Sequence, residues 1–135
     1  MSDAPATIEV LLVEDSPADA RLTQEVLKAG SIRNRLTVVT DGVEALCYLR
    51  REGRYRDAPR PDLVLLDLNL PKMDGREVLT SIRTDPYLHG IPVIVLTTSG
   101  AEADVAGAFA ERADSYLVKP VDAQAFSTIV AGLVA

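Results

Sequence analysis

The amino-acid sequence predicts an α/β fold: a doubly wound, five-stranded parallel sheet with five helices, stacked as a three-layer sandwich around one core. Two observations carry that prediction. Short, near-continuous apolar runs of strand length alternate with stretches whose apolar residues fall three and four apart, and the runs are too apolar to belong to a sheet with one wet face. Strict alternation of this kind is wound through right-handed crossovers, which put helices on both faces.

Strands are expected at residues 8–13 (IEVLLV), 36–40 (LTVVT), 63–66 (LVLL), 93–96 (VIVL) and 116–118 (YLV). Helical spacing joins Leu22, Val26 and Ala29; Val43, Leu46 and Cys47; Val78, Leu79 and Ile82; Val105 and Phe109; and Phe126, Ile129, Val130 and Leu133. Four helix starts carry a capping side chain with an acidic residue three positions on: Ser16 with Asp19 and Pro17 between them, Asp41 with Glu44, Asp74 with Glu77, and Ser99 with Glu102. Gly30 and Gly53 follow helical stretches, where a left-handed residue would close the helix. The longest connection, residues 52–61 (EGRYRDAPRP), is charged and Pro-bounded, as a surface loop should be. No repeat or low-complexity segment interrupts the pattern. One domain over residues 1–135 is expected, with no output domain after the last helix.

Composition narrows the function classes. A chain of 135 residues, 47% of them hydrophobic, buries roughly two-thirds of its unfolded surface and needs no disulfide or structural metal. The formal net charge of −6 and pI near 4.7 disfavour a nucleic-acid partner, whose phosphates ask for a surplus of Lys and Arg. Cys47 is the lone cysteine and His89 the lone histidine, so an intrachain disulfide and the usual zinc sites are excluded. The N-terminal residues lack a basic, then apolar leader, and no apolar run approaches the ~20 residues of a membrane span. A cytoplasmic protein without membrane contact is the expectation.

In open α/β sheets the ligand lies beyond the carboxyl ends of the strands, where the winding reverses. The first strand ends in Glu14-Asp15, the third in Asp67 with Asn69 two residues on, the fourth in Thr97-Thr98-Ser99 and the fifth in Lys119-Pro120. Three carboxylates held close together repel unless a cation neutralises them, and oxygen-only ligands suit a hard ion such as Mg²⁺. One carboxylate could then attack phosphorus, with the ammonium of Lys119 and the hydroxyl of Thr97 covering the phosphoryl oxygens. A single acid after a strand is more often a helix cap or a solvated loop residue, and Asp15 alone would be read that way. The set of Glu14, Asp15 and Asp67 beside a Lys and a Thr weighs against it, as does Asp67 interrupting the apolar run LVLLDLNL.

The motifs VLLVEDSPAD, DLVLLDLNLPKMDG, IPVIVLTTS and SYLVKPV, in that order over essentially the whole chain, resemble the receiver domain of two-component response regulators. Residues 41–49 (DGVEALCYL), 54–61 (RYRDAPRP) and VLTTS look like the stand-alone receivers associated with bacterial phytochromes. The resemblance implies a flavodoxin-like sheet of order 2-1-3-4-5 and a signalling protein rather than an enzyme acting on outside substrates. It implies that Asp67 takes a phosphoryl group from a phosphohistidine on a sensor histidine kinase, such as a phytochrome. Asp15 and Asp67 would bind Mg²⁺ directly, Asn69 through its backbone carbonyl and Glu14 through a water. Lys119 would pair with the phosphoryl oxygens, Thr97 would donate to them, and Tyr116 would turn inward as Thr97 moves. The Lys119-Pro120 peptide would be cis. Output to a downstream protein or phosphotransfer partner would use the face of the fourth helix, fifth strand and fifth helix. A homodimer is also within the resemblance, although the Ala-rich last helix ends at Ala135 without a charged or aromatic tail, which counts against a dimer built on one.

Other residues have plainer readings. Cys47 is expected to be a small buried hydrophobe and His89 a solvated loop residue. Arg50, Arg51, Arg54 and Arg56 read either as a solvated run or as a docking contact for an acidic partner surface. A phosphohydrolase with an Asp nucleophile would need an acid two residues later, where this chain has Asn69. A nucleotide or flavin module would need a Gly-rich first turn in place of VEDSPAD. A degenerate receiver that only binds partners would not need the complete acidic, Thr and Lys set.

Overall fold

A computed structural model of the chain describes residues 7–30, 32–68, 70, 72–98 and 113–134. Strands β1 (Ile8–Val13), β2 (Asn34–Val39), β3 (Leu63–Asp67), β4 (Val93–Thr97) and β5 (Ser115–Val118) pair in parallel in the order β2-β1-β3-β4-β5. Helices α1 (Pro17–Ala29), α2 (Gly42–Leu49), α3 (Gly75–Thr84) and α4 (Ala123–Val134) cover the sheet, and a short 3₁₀ turn (Gly53–Tyr55) follows α2. The expected sheet order holds. The expected helix around Val105 and Phe109 and the Ser99 cap lie outside the described residues.

The near-continuous apolar runs are explained by two cores, one per face. Successive strand residues point to opposite sides. Leu11, Val13, Val64, Leu66, Val93 and Val95 pack with Ala45, Leu46, Val78, Leu79 and Ile82 of α2 and α3. Val10, Leu12, Leu63, Leu65, Ile94 and Leu96 pack instead with Leu27 of α1 and with Phe126 and Val130 of α4. Every residue of β3 and β4 is buried, whereas the edge strands β2 and β5 are only partly so.

Edge position also accounts for the boundary that shifted most. β2 starts two residues before the apolar run, because Asn34 and Arg35 pair with Ile8 and Glu9 of β1, and Arg35 adds an ion pair to Glu9 at 2.9 Å. Helix faces depart from expectation as well. Leu22 is 56% exposed, and α1 buries Thr23 and Leu27 instead. In α2, Val43 faces outward and Cys47 is only partly buried, while Ala45, Leu46, Tyr48 and Leu49 fill the core. α2 packs against both the sheet and the neighbouring α3, so it buries more than one stripe and spacing alone misplaces its inner face.

The caps follow the residue chemistry. Ser16 Oγ accepts from Asp19 N–H at 3.3 Å, and Asp41 Oδ1 from Glu44 N–H at 2.7 Å. Asp74 Oδ1 accepts one residue earlier than expected, from Arg76 N–H at 2.8 Å. Gly30 is extended (φ −74°), not left-handed. The left-handed residue closing α2 is Arg51 (φ 56°), whose N–H donates to Tyr48 O while Glu52 N–H donates to Cys47 O, a complete Schellman pair. Gly53 (φ 58°) is left-handed two residues later, inside the 3₁₀ turn.

Two Asp-Gly pairs set how closely the layers approach. A Cβ on Gly75 would stand 2.5 Å from Asp67 O and 2.7 Å from Leu68 Cα; one on Gly42 would stand 2.6 Å from Met73 O. The first turn of α3 therefore rests on the backbone at the end of β3, and α2 rests on the segment leading into α3. Gly75→Ala should destabilise the protein by about 1–3 kcal/mol in urea unfolding, since main-chain atoms must give way. Gly90→Ala, with nothing within 4 Å of the new methyl, should leave the midpoint unchanged.

Candidate functional site

The parallel register decides which side chains meet. Val13 pairs with Leu66, so Glu14 and Asp67, the next residues of β1 and β3, leave the sheet side by side at the point where the winding reverses. Asp67 pairs with Leu96, which precedes Thr97; Thr97 pairs with Val118, which precedes Lys119. The ladder runs on past the strands, with Glu14 N–H donating to Val39 O at 2.9 Å and Lys119 N–H to Thr97 O at 2.7 Å.

Glu14 is 1% exposed and Asp67 4%, an unusual depth for two neighbouring acids. Their counter-charge is Lys119, whose Nζ lies 2.5 Å from Glu14 Oε1, 3.0 Å from Asp67 Oδ2 and 3.2 Å from Asp19 Oδ2. The contacts to Asp67 and Asp19 are hydrogen bonds; the one to Glu14 is an ion contact without hydrogen-bond alignment. Glu14 Oε2 accepts from Ser16 N–H at 3.3 Å. Burial, with the neighbouring Asp67, pushes the Glu14 carboxyl up to about 7 against the pull of Lys119. For Lys119 burial opposes the charge, but Glu14 and Asp67 outweigh it and hold the ammonium's proton well above the ordinary lysine range.

Asp15 is exposed at the rim, and one oxygen each of Glu14, Asp15 and Asp67 lie within 4.8 Å of one another. Three carboxylates with no nitrogen or sulfur donor among them make a donor set for a hard divalent cation. Thr97 is fully buried at the end of β4. Thr98 borders a cleft of about 260 Å³ between Lys119-Pro120 and the outer face of α1, where Leu22 is exposed. The Lys119-Pro120 bond is cis. Tyr116 is 44% exposed on the edge strand β5. Asn69 lies outside the described residues. His89 is exposed in the connection following α3, at the other end of the sheet.

Two participants escaped the sequence reading. Asp19 was legible only as the acid answering the Ser16 cap, yet it also holds Lys119. Its position in the first turn of a helix that begins at the site was the available signal. Gly75 was read only as part of a helix start, whereas its missing side chain lets α3 sit against the carbonyl of Asp67.

A parallel sheet of this order, with buried acids and a lysine at its switch point, defines a receiver-type signalling domain. The chain belongs to that family: residues 10–131 match the response regulator receiver domain. The response regulator Rcp1 of Synechocystis sp. is 48% identical over 124 residues, covering 92% of this chain and 84% of that protein. Its Mn²⁺-bound crystal structure superposes with a TM-score of 0.75, covering 93% and 90% of the two chains. The bacteriophytochrome response regulator AtBRR is 40% identical, with a TM-score of 0.88 over 97% of this chain and 96% of its own. The phosphorylated cyanobacterial phytochrome response regulator RcpA is 47% identical, with a TM-score of 0.77 over 94% and 91%. Among the described residues no helix is long and apolar enough to cross a membrane.

The raised Glu14 carboxyl has a consequence for stability. Between its ordinary value of 4.5 and about 7 the folded chain binds a proton that the unfolded chain has released, so this group's contribution is full below 4.5 and is lost as pH rises through 7. In metal-free buffer, Glu14→Gln should flatten the fall of Tm between pH 5 and pH 7.5, a change on the order of 2 kcal/mol. An unchanged slope would mean that Glu14 is ionised throughout.

Proposed function

We propose that this chain is a phosphoacceptor response regulator in which Asp67 takes a phosphoryl group from a histidine kinase in a divalent-cation-dependent step, and which signals through altered protein contacts. The observation that carries the reading is the buried Glu14–Asp67 pair converging with Asp15 and Lys119 on one edge of the sheet. The relatives' Mn²⁺-bound and phosphorylated forms support it, as does their association with phytochromes. A phytochrome-type kinase acting in the cytoplasm is accordingly the partner proposed.

The acids fit a hard cation: Asp15 and Asp67 would bind it directly, Asn69 would contribute its carbonyl and Glu14 would act through water. When bound, Mg²⁺ offsets the charge of the acids and of the incoming phosphoryl oxygens. An Asp67 carboxylate oxygen attacks phosphorus, the P–N bond to the kinase imidazole breaks, and the imidazole leaves with the bond's electron pair and takes up a proton. Lys119, already within 3.0 Å of Asp67, stays with the oxygens that gain charge. The product carries a phosphoryl group of nearly two negative charges in place of the carboxylate's one, with three acceptor oxygens, which rewards any state that brings Lys119 and the Thr97 hydroxyl closer. Tyr116, outward here, is the side chain proposed to follow Thr97 inward.

Intact mass after incubation with acetyl phosphate should show one phosphoryl adduct with Mg²⁺, none with EDTA and none in Asp67→Asn. An adduct on Asp67→Asn would remove Asp67 from the role. Because a cation displaces the proton from Glu14, apparent Mg²⁺ affinity should climb as pH rises towards about 7 and level off above it. Isothermal titration at several pH values reads this directly, and a flat profile would place the metal away from Glu14.

A further inference from the structure

At the amino ends of β3 and β4, the edge of the sheet away from Asp67, helices α2 and α3 terminate next to each other. A cleft of about 380 Å³ opens there, with Leu49 and Leu88 in its wall, Arg50, Arg51 and Arg60 around it, and Tyr87 beside them. Leu49 and Leu88 are buried, and Tyr87, at 82%, is the most exposed large hydrophobic among the described residues. An apolar surface rimmed by charge is the usual make-up of a contact site.

The charge is lopsided. Three guanidiniums face one carboxylate, Asp85, which is engaged by Arg50 Nε at 3.5 Å and by Tyr87 N–H at 2.8 Å. Arg60 donates only to the backbone carbonyl of Tyr87, and neither Arg51 nor Arg60 has an ion pair among the described residues. By contrast Arg54, from the same basic run, is taken up by Glu44 and Tyr55. A chain of net charge −6 thus gathers unspent cations around a small apolar cleft.

Arg51 adds an independent pointer. It holds the left-handed position closing α2, where an L residue is strained relative to glycine, and the chain places glycine at the similar position 53. The strain brings no ion pair among the described residues, which leaves the guanidinium open to an outside group.

We propose that this cleft is a docking groove for an acidic segment of a partner protein bearing an apolar anchor. The anchor seats against Leu49 and Leu88 beside Tyr87, and carboxylates on either side pair with the forked guanidiniums of Arg51 and Arg60. Nucleic acid is the weaker occupant, because the overall negative charge repels a long polyanion while a short acidic segment meets only the local field. The groove and the Asp67 edge lie at opposite ends of the strands, so a docked partner leaves the phosphoacceptor open. The inference does not depend on Asp67 chemistry.

The test is an amide-resolved NMR titration of the full chain with a short peptide alternating Glu and Leu, alongside its Gln-for-Glu counterpart and a DNA duplex. Shifts should concentrate at residues 49–51, 60 and 85–88 with the acidic peptide, and the Gln peptide should bind at least about fivefold more weakly. Arg51→Gly should lose about fivefold in affinity and Arg51→Gly with Arg60→Gln more, while Arg51→Gly keeps or raises Tm and accepts phosphate from acetyl phosphate as before. Absence of shifts at the groove, equal binding of the Gln peptide, an unaffected Arg51→Gly, or preferential shifts with DNA would each overturn the proposal.

Discussion

Two acids buried side by side, Glu14 and Asp67, are the constraint around which the rest of the molecule is arranged. Adjacent carboxylates at that depth cannot both be charged without compensation, and the protein answers in two ways. Lys119 arrives from the far edge of the sheet to lie among them, and Glu14 holds its proton to near neutrality. The pair stays short of full neutralisation, because Asp15 and Asp19 add further negative charge around a single ammonium. An arrangement that is poor for stability is thereby good for receiving a hard cation.

Holding the acids in place is the work of the backbone. β3 is buried on both faces, so Asp67 cannot move sideways without disturbing both cores. Gly75 then stacks the start of α3 against the end of that strand, and Gly42 stacks the start of α2 against Met73 in the segment leading into α3. The chemistry of the site belongs to charged groups, but its geometry belongs to positions with no chemistry at all.

Much of this was legible beforehand, for identifiable reasons. Apolar runs with both parities filled can only be strands covered on two faces, and that fixed the layers; the capping residues at 16, 41 and 74 fixed the helix starts. What the sequence hid was relational. The inner face of α1 could not be read from Leu22, since Thr23 is buried in its place, and the left-handed end of α2 fell on Arg51 rather than on Gly53. Asp19 escaped because it read as the acid answering the Ser16 cap, whereas its backbone N–H meets that cap and its side chain holds a lysine across 100 residues of chain. The acids were found because strand ends converge in any such fold; their burial and their shared partner required the packing.

The site is also assembled from strands of unequal permanence. Asp67 rides on a central strand enclosed by neighbours on both sides, while Lys119 follows β5, a four-residue edge strand whose ladder is shared with β4 alone and whose Tyr116 and Val118 face solvent. Edge segments with few contacts open locally at far lower cost than the centre of a sheet. Asp67 therefore sits on the anvil of the molecule and its counter-charge on the part that gives, so under the proposed function a change of charge at the fixed group would be expressed as motion of the loose one. Under the proposed function, reception and reporting would be separated by rigidity.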